Sequence, residues 1–119
     1  MPLFSLLRRA IHNRVLLQLT RGARRAVKKR LTTLGFTPRS TEVSLGFAEP
    51  SKLRMVVVFP NDSVLDMFDS SHAQDAIQDL FRKELLRSGY PADAARKTTV
   101  SFHSHETINR SGGYHLYFS

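Results

Sequence analysis

The sequence predicts an α+β domain in which a basic N-terminal helix or helix pair is followed by a four-stranded antiparallel sheet with a second helix. Three observations predict it. Apolar residues recur every three to four positions from Phe4 to Leu34, they alternate from Val43 to Phe59, and a second helical stripe from Ala73 to Leu85 precedes a last alternating stretch. A chain of 119 residues, 41% of them hydrophobic, is long enough to bury one core. It therefore reads as one domain, with residues 1–35 as a basic amphipathic helical segment packed on residues 36–119, the sheet portion.

In the first segment Phe4, Leu7, Ile11, Val15, Leu19, Ala23, Val27, Leu31 and Leu34 make the stripe. Gly22 costs about 1 kcal/mol relative to Ala inside a helix and so marks a bend or a break. Gly35 is placed to end the helix in the left-handed conformation. Period two then sets Val43, Leu45 and Phe47 on one strand and Leu53, Met55, Val57 and Phe59 on the next, joined at Glu49-Pro50-Ser51. Val56 and Val58 give the second strand an apolar reverse side, which predicts a central place in the sheet.

Pro60-Asn61-Asp62-Ser63 interrupts the pattern, and Val64 to Phe68 reads as a short helical turn. The longer helix starts near Ser71, answered by Gln74 in a capping box, and buries Ala73, Ala76, Ile77, Leu80, Phe81 and Leu85 before Gly89 ends it. A closing strand pair sets Val100 and Phe102 against Tyr114, Leu116 and Phe118 across a loop with Asn109, Gly112 and Gly113. Leu34-Gly35-Phe36 and Ser88-Gly89-Tyr90 fall at matching points of two halves. The order is thus helix-hairpin-helix-hairpin, equivalent to a permuted ferredoxin-like arrangement with both helices on one sheet face and the other face open.

Charge carries the strongest functional signal. Residues 1–41 hold ten Lys or Arg and no Asp or Glu, whereas the rest hold eight basic and ten acidic residues, for a net charge of +8. Such a front attracts phosphate, anionic lipid or an acidic protein surface. Arg21, Arg24, Arg25, Lys28, Lys29 and Arg30 are the candidate contacts with a nucleic acid or an acidic partner. A charge run is commonly just the solvated face of a packed helix, but a helix selected for solubility alone mixes both signs. Contact of Phe4, Leu7 and Ile11 with an anionic bilayer is a further reading, as is a mitochondrial targeting peptide. Against the targeting peptide, the stripe continues into the domain. Asp62, Asp66, Asp69, Asp75 and Asp79 form an acidic band able to pair with the basic front within the chain or between copies of a homo-oligomer.

No cysteine is present, so disulfides, thiol nucleophiles and thiolate metal sites are excluded. No apolar run approaches the ~20 residues of a spanning helix. A cytoplasmic protein is expected, or a mitochondrial one in a eukaryote. Alternation puts Ser101, His103 and His105 on the open sheet face, with His115 and Tyr117 opposite. Three histidines so placed suit zinc, with Glu106 as a fourth ligand. His103 or His105 as base, Tyr117 as proton donor and Arg110 on phosphate would also make a small ribonuclease. The same side chains are ordinary on an exposed sheet, and no phosphate loop, nucleophile elbow or HExxH signature is present. No catalytic residue, metal or cofactor is assigned. The expectation is a soluble, non-enzymatic protein that binds a polyanion through its basic helix, RNA being favoured. An immunity or antitoxin-type protein covering an acidic toxin surface is the alternative, and a histidine-based ribonuclease the third reading.

Overall fold

The computed structural model describes residues 12–46 and 49–119; the expectations for Phe4, Leu7, Ile11 and Phe47 lie outside them. Two helices open it, α1 over 12–19 and α2 over Arg21–Thr33. The junction is at Thr20 and not at Gly22. The Thr20 hydroxyl and N–H both donate to the Leu17 carbonyl, at 2.6 and 3.1 Å, which tightens one turn while Thr20 keeps right-handed helical dihedrals, φ −84° and ψ −13°. The buried line therefore differs from the expected stripe: Leu16 is inside and Val15 is 47% exposed, after which Ala23, Val27 and Leu31 carry the line and Leu34 falls outside it.

There follow β1 (Ser40–Leu45), a 3-10 turn (Pro50–Lys52), β2 (Leu53–Phe59), α3 (Asp62–Ser70), α4 (Gln74–Arg87), α5 (Ala92–Ala95), β3 (Thr99–Ser104), α6 (His105–Arg110) and α7 (Tyr114–Tyr117). Among the described residues the sheet has three strands rather than four, in the order β1-β2-β3 with β2 central. It is mixed: β1 runs antiparallel to β2, with Val43 opposite Met55, and β3 runs parallel to it, with Phe102 opposite Val57. A chain that leaves one strand and returns through helices enters the next strand from the same end, which a hairpin cannot do. The helix-hairpin-helix-hairpin order and the permuted ferredoxin-like arrangement are thereby corrected, and the expected last strand is the helical turn α7.

The two matching glycine sites have a local explanation. Gly35 N–H donates to Thr32 and Phe36 N–H to Leu31; Gly89 and Tyr90 repeat this on Leu86 and Leu85, and Gly112 and Gly113 on Asn109 and Ile108. The first glycine of each set sits at φ of +91°, +91° and +95° respectively. Each is the same helix stop, closed by paired bonds to the last carbonyls. The apparent duplication is a repeated stop signal, and Asn109 to Gly113 ends a helix instead of turning a hairpin. Gly89→Ala is expected to cost about 1–2 kcal/mol for the left-handed backbone. Gly22→Ala, in a helix where a Cβ would lie an ordinary 3.6 Å from Ser88 Oγ, should gain roughly 0.5–1 kcal/mol. Opposite shifts of the urea midpoint check both.

Helix starts also differ from expectation. Asn61, read as part of a break, caps α3 by accepting from Val64 N–H at 2.9 Å. Ser71 closes α3, its hydroxyl donating to Phe68 O at 2.6 Å, and α4 begins after Ala73 without a side-chain cap. The Gln74 amide turns back to Asp69. The main core lies on one sheet face, where Leu53, Met55, Val57 and Phe59 meet Ala23, Val27 and Leu31 of α2, Phe68 of α3, and Ile77, Phe81 and Leu85 of α4. On the reverse face Val56 and Val58 are covered by Ile108 and Tyr117, so the face expected to be open is partly closed by α6 and α7.

Candidate functional site

With Ala23, Val27 and Leu31 marking the buried line of α2, helical spacing places Arg21, Arg24, Arg25 and Lys28 on one flank, Lys29 outermost and Arg30 on the opposite flank. Four of the six candidate cations thus come together. They line an open depression of about 290 Å³ with Thr41 of β1. Arg24 is its fixed member: Nε donates to Thr41 Oγ1 at 3.1 Å and Nη2 to the Thr41 carbonyl. Both acceptors are neutral, so the guanidinium is held in place with its charge uncompensated. Arg21, Arg25, Lys28, Lys29 and Arg30 are exposed.

None of these cations is paired with a carboxylate among the described residues. The ion pairs there are Lys52–Glu49, Arg87–Glu84, Arg96–Asp93 and Arg110–Asp62. Among the described residues, then, the acidic band makes no ion pair with the basic helix. Glu42, the acid of β1, follows Thr41 in an extended strand and so points to the reverse face. A second depression, of about 690 Å³, is lined by Asn13, Arg14, Leu17, Gln18 and Arg21. Arg14 and Gln18 were not among the sequence candidates, although their spacing from Arg21 and Arg25 places them on the same flank.

The histidines are arranged otherwise than alternation implies. His103 does share the reverse face with Ser101, but His105 is the first residue of α6, and His115 lies exposed on α7. His103 Nδ1 meets Tyr117 Oη at 2.8 Å and Nε2 meets Ser101 Oγ at 2.8 Å, with the ring edge-on to Tyr117 and Phe118. Burial, aided by the positive charge of Arg54, pushes the His103 pKa below its ordinary 6.5 and favours the neutral ring. His105 Nδ1 meets Tyr114 Oη at 3.0 Å and Nε2 meets Asn109 Nδ2 at 3.1 Å. Both nitrogens of each imidazole are therefore engaged. Tyr117 reaches His103 from a helix rather than from a partner strand. Among the described residues no three His, Asp or Glu side chains gather as a metal site.

Arg110 is committed elsewhere. Asp62 Oδ1 accepts from Ser104 Oγ at 2.5 Å and from Thr107 Oγ1 at 2.7 Å, Asp62 Oδ2 receives Arg110 Nη2 at 2.7 Å, and Asp62 N–H donates to Glu106 Oε1 at 2.9 Å. This ties the start of α3 to α6. The Ser104 and Thr107 hydroxyls, then Arg110, hold the Asp62 pKa down to about 2 from 3.8. A depressed carboxyl pKa stabilises the fold above the unfolded value and loses that contribution as pH falls through the folded one. The melting temperatures of the wild type and Asp62→Asn should therefore converge between about pH 4 and pH 2. A difference that persists unchanged at pH 2 would refute the assignment.

No family model, curated protein or solved structure matches the chain. No helix among the described residues is long and apolar enough to cross a membrane.

Proposed function

We propose that the chain is a non-catalytic binding protein for a polyanion, and that the polyanion is a nucleic acid, RNA in particular, held along the Arg21–Arg25–Lys28 flank of α2. One observation carries this reading: the flank gathers four cations around a depression, and its one anchored member, Arg24, is fixed by neutral groups of Thr41 rather than by an acid. The charge is set in place and left for an outside anion. RNA is favoured over duplex DNA because α2 lies packed on β2 and α4. A helix that reads a major groove must stand clear of its own domain to enter it.

Such binding is governed by counterion release. With four or five phosphates engaged, a plot of log affinity against log salt should have a slope of about −3 to −4 for a single strand. A flat plot, or no retention on RNA at low salt, would defeat the reading. The immunity or antitoxin-type alternative places an acidic protein on the same cations. A stable one-to-one complex with such a protein, in a chain that ignores RNA, would replace the nucleic acid. Pairing of this flank with Asp66, Asp69, Asp75 and Asp79 of a second copy would show as a mass that rises with concentration and falls with salt.

A further inference from the structure

Arg14, Gln18, Arg21, Arg25 and Lys28 are spaced by four, three, four and three residues, the interval at which side chains share one flank of a continuous helix. The junction between α1 and α2 does not rotate that flank away, because Thr20 keeps helical dihedrals and Arg24 N–H bonds the Thr20 carbonyl at 2.9 Å. Arg21 lines both depressions, of about 690 and 290 Å³, so they lie side by side along the flank. From Arg14 to Lys28 the flank runs roughly 21 Å along the helix axis.

The two ends differ in chemistry. Around Arg21, Arg24, Arg25 and Lys28 the lining is cationic with one hydroxyl. Around Arg14 it also has the exposed amide of Gln18, the amide of Asn13, whose Oδ1 is buried, and the side chain of Leu17, which is 37% exposed. Cations suit phosphates. Exposed apolar surface beside amides suits a base, whose face packs on carbon and whose edge exchanges hydrogen bonds. A paired duplex keeps its base faces stacked inside and cannot offer both at once. A single strand with splayed bases can.

We infer that the α1–α2 flank is a track for a single polynucleotide strand, with phosphates on the Arg21–Arg24–Arg25–Lys28 end and bases reaching the Asn13–Leu17–Gln18 end. This rests on the polyanion reading and adds to it a strand state and a role for α1. The sugar-phosphate and base chemistry is common to RNA and DNA, so both are probed.

The test is fluorescence anisotropy with labelled oligouridine and oligothymidine of about two and about eight nucleotides, and with a hairpin duplex of matching charge. Wild-type protein should bind the longer strand of its preferred sugar more tightly than the hairpin. The double variant Arg14→Glu with Gln18→Ala, at two exposed positions, should bind the longer strand about tenfold more weakly and leave the shorter one unchanged. Circular dichroism confirms that the variant is folded. Equal losses at both lengths, no loss at either, or a hairpin bound as tightly as the strand would overturn the track. If charge reversal at Arg21, Arg25 and Lys28 still abolishes binding in that case, the polyanion reading stands while the track falls. If neither set of substitutions matters, both fall.

Discussion

Replacing Arg21, Arg25 and Lys28 together by glutamate is expected to weaken RNA binding by about 100-fold or more near 0.1 M salt and to flatten the salt dependence by about two units of slope. All three side chains are exposed and none is paired with a carboxylate among the described residues. Surface changes of this kind usually alter stability by no more than about 0.5 kcal/mol, so the loss would be one of binding alone. Arg24→Ala makes an informative companion. It removes a charge and also the bonds that dock α2 on Thr41, so it should lower both affinity and melting temperature. An unchanged salt slope in the triple variant would mean that the cations merely decorate a packed helix.

The largest stability effect is expected at Phe68. Its ring is fully buried and lies 5.5 Å from Phe36, 5.2 Å from Phe59 and 4.5 Å from Phe102 between centroids. It is the residue through which α3, β2, β3 and the segment after α2 all meet. Phe68→Ala leaves a cavity that none of these rings can fill alone and should cost about 3–5 kcal/mol. That is a large share of the ~5–15 kcal/mol typical of a domain. Phe68→Leu, which keeps most of the volume, should cost less than half as much. Urea unfolding of the two variants checks the ranking. Equal midpoints would show that α3 is held by its ends, through Asn61 and Asp62, and not by this ring.

The sequence made the individual elements legible more readily than their assembly. Leu53 to Phe59 reads as a central strand because both its faces are apolar, and it is central. Periodicity carries no information about direction, however, so nothing in Val100 and Phe102 tells a parallel partner from an antiparallel one. Tyr114, Leu116 and Phe118 alternate as a strand would, yet the glycines at 112 and 113 close α6, and α7 follows at once. Asn61 reads as an interruption of the pattern because a cap and a turn use the same residue types. At the basic site the cluster was visible as composition, and helical geometry divides it, setting Arg30 apart. The anchoring of Arg24 depends on β1 passing beneath it, which no local pattern records. Arg14 and Gln18 share the spacing of Arg21 and Arg25, whereas the density of charge lies in the later residues.

The crossover between β2 and β3 also has a kinetic consequence. Met55 to Phe59 are five consecutive buried residues, and one side of their strand stays unpaired until Thr99–Ser104 has left the ribosome and docked. Sequence-distant pairing of this kind is slow to form, and an apolar strand that waits for its neighbour is prone to associate with other nascent chains. During synthesis, therefore, this run of five apolar residues is left with one strand edge open until nearly the whole chain has emerged.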